Sequence, residues 1–162
     1  RQGRSGRRSS RTIVPTRYWT GVFQSPAVYQ EFNSLYGTRR TYNDDPKITF
    51  HAGVDFAGGM YLPITAPADG VVVFAGELTV RGNTVFIDHG QGIFSGFFHQ
   101  NKLMVKTGDV VTKGQQLGEV GNTGRVSGAG DYPGAGAHLH WEVWVNGVQV
   151  DPLNWLEYEY PQ

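Results

Sequence analysis

Histidine occurs five times, at positions 51, 89, 99, 138 and 140. No other residue type in the chain is better suited to both proton transfer and metal binding near neutral pH. His138 and His140 stand in the stretch GAHLHWEVWVNG. Trp141, Val143, Trp144 and Val145 favour a strand there, and Asn146-Gly147 is a type I′ hairpin signal. On a strand the two imidazoles leave the same face, with Cα atoms roughly 6.6 Å apart. They can serve one site but cannot do one job. Glu142 and Trp144 share that face, while Leu139, Trp141, Val143 and Val145 form a core face. A solvent face that merely contains two histidines explains the pair equally well when it is taken alone.

A second pattern is His51-x-x-x-Asp55, in FHAGVDFAG. Gly53, Val54 and Gly58-Gly59 argue against a helix. On a straight strand the two Cα atoms would be roughly 13 Å apart. The backbone must therefore bend for both to reach one ion, and Gly53 permits that. Two imidazoles and one carboxylate with an open fourth position match the ligand set of a catalytic zinc, which lowers the pKa of a water and polarises a carbonyl. One histidine of the pair, together with His99, is then left for proton transfer. The spacing alone does not decide which member of the pair is the ligand.

The elements that must position these groups read as β-structure. Glycine is 23 of 162 residues, about twice the usual ~7%, which suits tight turns between short strands. PITAPADGVVVFAG reads as strand, turn and strand. GNTVFIDHGQGIFSGFFHQ reads as two strands around Asp88–Gly92, and KTGDVVTKGQQLGEVGNTG as short strands interrupted by glycine. Residues 25–37 carry helix start and stop signals at Ser25, Pro26 and Gly37, but Val28, Gln30 and Phe32 alternate as in a strand. Asp151-Pro152 is placed to cap a short terminal helix through Trp155. The glycine-rich segment 121–137 leads directly into the histidine pair and is expected to wall a cleft.

Composition narrows the class further. The chain is long enough for one domain with a real core. It has no cysteine, which excludes disulfides and thiolate metal sites. No apolar run approaches the ~20 residues of a membrane span, and no signal peptide is present. The net charge of zero is uneven. Residues 1–30 hold six arginines and no acid, whereas residues 31–162 hold eight basic and fourteen acidic residues. The start RQGRSGRRSSR reads as a disordered basic leader, placed at residues 1–16, ahead of a domain at 17–162. It is expected to be a linker or an electrostatic tether to an anionic polymer. A chain that begins at arginine reads as a processed product or an excised fragment.

HAGVD, APADGVV, VFIDHG, FFH, VKTGDVVTKGQQLGEVGNTG, HLHWEV and NGVQVDPLNWL occur in order across roughly Phe32 to Leu156. In this the sequence resembles the lysostaphin-type zinc endopeptidases, bacterial enzymes that cut peptide bonds in peptidoglycan. The resemblance implies a mainly β fold, an antiparallel β-sheet sandwich with a central groove and little helix, and an extended course for 25–37 with a bend near Gly37. It implies one Zn2+ on His51, Asp55 and His140, with His99 and His138 catalytic. It also implies a peptidoglycan peptide as substrate, no nucleic-acid partner, a monomer, and a place outside the cell or in its envelope.

The pattern departs from the family at Gln100, where leucine is usual, and at Ala137, in a longer loop that often ends in proline. Both departures are expected to touch the groove. His89 reads as a turn or packing residue. Glu142 is placed either to orient one imidazole or to sit at the edge of the core.

Three other functions fit parts of the pattern. A histidine phosphocarrier of related fold shares a GDxVxxGQ segment, but leaves Asp55 and the tandem histidines without a task. A wall-binding or amidase-activating module of the same fold would have lost ligands that are present here. A non-haem iron oxygenase also uses two histidines and a carboxylate, but with His-x-Asp spacing.

Overall fold

The computed structural model describes residues 13–29, 31–41 and 47–161. Residues 1–12 of the expected leader lie outside the described residues. Five short strands come first: β1 (Phe32–Ser34), β2 (Arg39–Thr41), β3 (Ile48–Phe50), β4 (Val54–Phe56) and β5 (Pro63–Thr65). Three long ones follow, β6 (Gly70–Leu78), β7 (Gly82–Gly90) and β8 (Ile93–Gln100). Then come β9 (Lys102–Leu103), β10 (Val110–Val111), β11 (Gln116–Glu119), β12 (Leu139–Val145) and β13 (Val148–Val150). One helical turn, α1 (Asn154–Glu157), closes the described chain, and the Asp151 carboxylate accepts the Leu153 N–H just before it.

All pairings are antiparallel. The main sheet runs β1-β4-β12-β8-β7-β6-β10, with β13 also paired to β12. A three-stranded sheet, β5-β11-β9, and the hairpin β2-β3 complete the fold. The mainly β architecture expected from the sequence is therefore present. The described residues of 25–37 contain no helix: β1 lies within them, and Gly37 turns the chain at φ 78°.

One face of the main sheet is the core. Val54 and Phe56 on β4, Val85 and Ile87 on β7, Phe97 on β8, and Leu139, Trp141 and Val143 on β12 are fully buried. They pack with Ile64 and Leu117 of the three-stranded sheet. Each such side chain contributes ~1.5–3 kcal/mol by leaving water. Trp19, Phe23 and Trp155 pack edge-on at one end of this core.

The turns follow the glycine signals with one difference. Asn146 and Gly147 adopt φ of 49° and 82°, both left-handed as a type I′ turn requires. Between β7 and β8 the strand continues through His89 to Gly90, so the reversal is carried by Gln91 and Gly92 rather than by five residues. His89 is pulled into the strand because its ring is wholly buried.

Candidate metal centre and its histidines

Register places the ligand types together. Asp55 on β4 lies opposite His140 on β12, and His140 lies opposite Phe98 on β8. The chain bends between β3 and β4, and the bend returns His51 to the same place. Gly53 permits a close approach as well as the bend. A Cβ there would lie 2.3 Å from the Trp141 carbonyl oxygen and 2.9 Å from Glu142 Cγ.

Among the described residues, one group of metal-ligating side chains has donor atoms all within 4.8 Å of one another: His51, Asp55 and His140. His140 Nδ1 is 2.6 Å from Asp55 Oδ1, and His51 Nε2 is 3.1 Å from His140 Nδ1 and 3.2 Å from Asp55 Oδ1. Ligands at ~2.1 Å from one tetrahedral ion stand roughly 3.4 Å apart, so these atoms need only spread apart slightly to take an ion between them.

The outer nitrogens are committed. His51 Nδ1–H donates to the Leu35 carbonyl at 3.0 Å, which leaves Nε2 as a lone pair facing the group. His140 Nε2 lies 2.9 Å from Glu142 Oε1. Asp55 turns Oδ2 to Arg40 Nη2 at 3.0 Å. This is the hydrogen-bonding pattern that fixes metal-ligating imidazoles and carboxylates.

Electrostatics agree with that geometry. Burial alone would raise the Asp55 carboxyl, but hydrogen bonds with His140 and His51 outweigh it and hold the group well below the ordinary range. Burial would lower His140, but Asp55 and Glu142 outweigh it, and the imidazole is raised from its usual value. Such a site attracts positive charge, as a proton or as a cation.

His99 and His138 stand beside this group. Their ring centroids are 5.3 Å apart, and that of His99 is 6.4 Å from His140. His138 Nδ1–H donates to the Gly136 carbonyl, and His138 Nε2 is 3.6 Å from Asp55 Oδ1. His99 Nδ1–H donates to the Thr123 carbonyl at 2.8 Å. In each ring the Nδ1–H is thus committed to a backbone carbonyl. Burial pushes His99 down to about 4, so it is neutral near pH 7. Its backbone is left-handed at φ 58°, a conformation that costs a non-glycine residue about 1–2 kcal/mol. Segment 121–137 thus supplies, from its two ends, the carbonyls that orient both rings.

The same face of the sheet continues away from the histidines. By register, Phe98, Phe94 and Trp144 share it with His140, and Phe86 and Phe74 extend it. Phe74, Phe86, Phe94 and Trp144 line an open groove of about 800 Å³. Gln100 and Ala137 do not face this groove. Both are buried, Gln100 donating to the Phe97 carbonyl, so the two departures from the family fall inside the fold and not on the groove as expected.

The sequence pattern singles out His51, Asp55, His99, His138 and His140, and the structure brings these five residues into one neighbourhood. The pattern did not reveal Arg40, Arg81 or the carbonyls of Leu35, Thr123 and Gly136. Backbone carbonyls leave no signal in composition, and the two arginines come from segments remote in sequence, Arg40 from β2 and Arg81 from the β6–β7 turn.

The description of Peptidase family M23 matches residues 49–152. Over 129 residues the chain is 34% identical to the peptidoglycan DD-endopeptidase ShyC of Vibrio cholerae, covering 80% of this chain and 28% of that protein. The structure superposes on a zinc-containing peptidase from Vibrio cholerae with a TM-score of 0.74 and 28% identity, over 88% of this chain and 41% of the other. It superposes on the catalytic domain of the antimicrobial peptidase lysostaphin from Staphylococcus simulans with a TM-score of 0.64 and 27% identity, over 79% of this chain and 92% of that domain. The chain spans 28% and 26% of the lengths of the two first curated relatives it matches. No helix among the described residues is long and apolar enough to cross a membrane.

Proposed function

The chain belongs to peptidase family M23, and from that premise we propose that residues 17–162 act as a zinc-dependent endopeptidase on the cross-links or cross-bridges of bacterial peptidoglycan. The observation that carries this reading is the donor group itself. Three ligand atoms converge, and each imidazole has its outer nitrogen bound to an oxygen acceptor. His51 Nε2, Asp55 Oδ1 and His140 Nδ1 would hold the ion. When bound, zinc supplies Lewis-acid polarisation of a carbonyl and a water of lowered pKa.

The chain's own groups then handle protons and position. His99 and His138 stand beside the donor group, their rings oriented by the Thr123 and Gly136 carbonyls. One of them takes a proton as water adds to the scissile carbonyl carbon. That proton is delivered to the amide nitrogen as the C–N bond breaks, so the step is neutral overall. His99, neutral because burial holds it at about 4, is ready to accept at neutral pH. Arg40, 3.0 Å from Oδ2, orients the Asp55 carboxylate. The aromatic groove offers an extended floor for a peptide.

A place in the cell envelope or outside the cell is proposed with it, supported by relatives named for activity on peptidoglycan. The leader, residues 1–16, is proposed as a basic tether whose end is pinned to the domain where the Val14 carbonyl accepts the Gln91 N–H. An inactive-module reading would require a missing ligand or catalytic histidine, and all five residues are present.

Digestion of defined muropeptides followed by mass spectrometry tests the proposal. Cleavage of one class of peptide bond is expected, abolished by a chelator and restored by about one zinc per chain. Full activity in metal-free protein would overturn it.

A further inference from the structure

Glu142 is 2% exposed, yet it carries a carboxylate. Burying such a charge is costly unless it is paired and fully hydrogen-bonded, and an apolar residue of similar size would often be as stable. The way its bonds are divided points to a purpose. Oε2 accepts from Arg81 Nη1 at 3.1 Å, Trp144 Nε1 at 2.9 Å and Gln149 Nε2 at 3.2 Å. Oε1 is 2.9 Å from His140 Nε2. With its other oxygen saturated by donors, the carboxylate is held with Oε1 aimed at one imidazole nitrogen.

That nitrogen decides the state of His140. Nδ1 points into the donor group, 2.6 Å from Asp55 Oδ1, and can ligate only when it carries no proton. The proton of the neutral ring must then sit on Nε2 and needs an acceptor there, which Glu142 Oε1 supplies. Arg81 completes the arrangement. Its guanidinium lies 4.3 Å from the Phe98 ring centroid, and the Phe98 ring is 5.4 Å from that of His140. Its own carbonyl accepts the His99 N–H at 2.8 Å. One residue at the β6–β7 turn therefore touches the support of a ligand and the support of His99.

We propose that Glu142 is a positioning residue that locks His140 in the Nε2–H tautomer, so that Nδ1 is the metal donor, and that Arg81 holds Glu142 to this task. The inference rests on the zinc reading of the same donor group. Glu142→Gln is the sharpest variant because it keeps shape and volume. Its amide oxygen would serve the donors Arg81, Trp144 and Gln149, which turns the NH2 group toward His140 Nε2. That favours the proton on Nδ1 and blocks the ligand.

The measurement is zinc affinity by competition with a chelator of known strength, on wild type, Glu142→Gln, Arg81→Met and His140→Ala, alongside the melting temperature of each metal-free protein. Glu142→Gln is expected to weaken zinc binding ~10–100-fold, and Arg81→Met by a smaller factor. In the zinc-loaded wild type, the His140 Nε2 proton should exchange slowly by NMR, and faster in Glu142→Gln. A purely structural Glu142 would lower the melting temperature and leave affinity and exchange untouched. That outcome, or affinity within twofold of wild type in Glu142→Gln, overturns the inference while leaving the zinc reading intact. If Glu142→Gln does not fold, Arg81→Met decides: unchanged affinity overturns the inference. A wild type that binds no zinc overturns both readings together.

Discussion

His89 is buried and His140 largely enclosed in one sheet, and they behave in opposite ways. His89, on β7, is wholly enclosed. Its Nδ1–H donates to the Asp69 carbonyl at 2.8 Å, and its Nε2 accepts from the Ser95 hydroxyl at 2.8 Å. Phe23 packs on its ring, with centroids 4.9 Å apart. Both nitrogens are consumed by neutral partners, and burial pushes the imidazole down to about 4. His140, on β12, is nearly as enclosed, but carboxylates face both of its nitrogens, and its pKa is raised. Desolvation acts the same way on both rings. What separates a packing histidine from a candidate ligand here is the charge of its partners and not its depth.

The largest effect that could break this contrast is expected at His140. His140→Ala should empty the donor group, losing zinc and with it turnover, as read by metal analysis and peptide cleavage on the same preparation. Retained zinc would mean that the centre lies elsewhere. The next effects concern the rings beside the group. His138→Ala and His99→Ala should each keep zinc while turnover falls ~10²–10⁴-fold, the usual range for a positioned acid or base. Their losses need not add, because both act on one step. Zinc lost from His138→Ala and kept in His140→Ala would reverse the assignment of the pair.

A smaller effect, on stability alone, is expected at His89. Its folded pKa, about 4, lies below the ordinary 6.5. The folded form therefore binds fewer protons than the unfolded one across that window. Its contribution is full above pH 6.5 and is lost as pH falls from 6.5 toward 4, by about 3 kcal/mol in total. Denaturant titrations of metal-free protein should show this slope in wild type and lose it in His89→Gln. That variant should keep zinc and turnover. If His89→Gln released zinc, the contrast between the two rings would fail.

The smallest effect is expected from the leader. Deleting residues 1–11 should leave melting and turnover on small soluble peptides unchanged. It should weaken adsorption to anionic wall polymers more at low salt than at high salt. A melting temperature several degrees lower would make the leader part of the fold.

Much of this was legible in one dimension. Alternation in HLHWEVWV placed His138, His140, Glu142 and Trp144 on one face, and β12 keeps Leu139, Trp141 and Val143 buried on the other. Asn146-Gly147 set its turn, and glycine at 53 announced the bend that returns His51 to Asp55. These features are local, and strand period and turn chemistry are local physics. Which of two histidines faces the donor group is not local. It depends on β4 lying beside β12 in a register that sets Asp55 opposite His140.

The rest was decided by tertiary structure alone. Glycine signals marked Asp88–Gly92 as one turn, but burial of the His89 ring carries the strand on to Gly90. The resemblance leads one to expect Gln100 at the groove, yet its side chain packs inward beside Gly118. Glu142 could equally have faced solvent until Arg81, Trp144 and Gln149 closed around it. The sequence by itself determined which residue types could hold an ion and on which strand faces they stand, because side-chain chemistry and backbone period are carried by each segment. Only the folded sheet determined their partners, because a proton's position on an imidazole depends on the atoms across from it, and those arrive from strands distant in the chain.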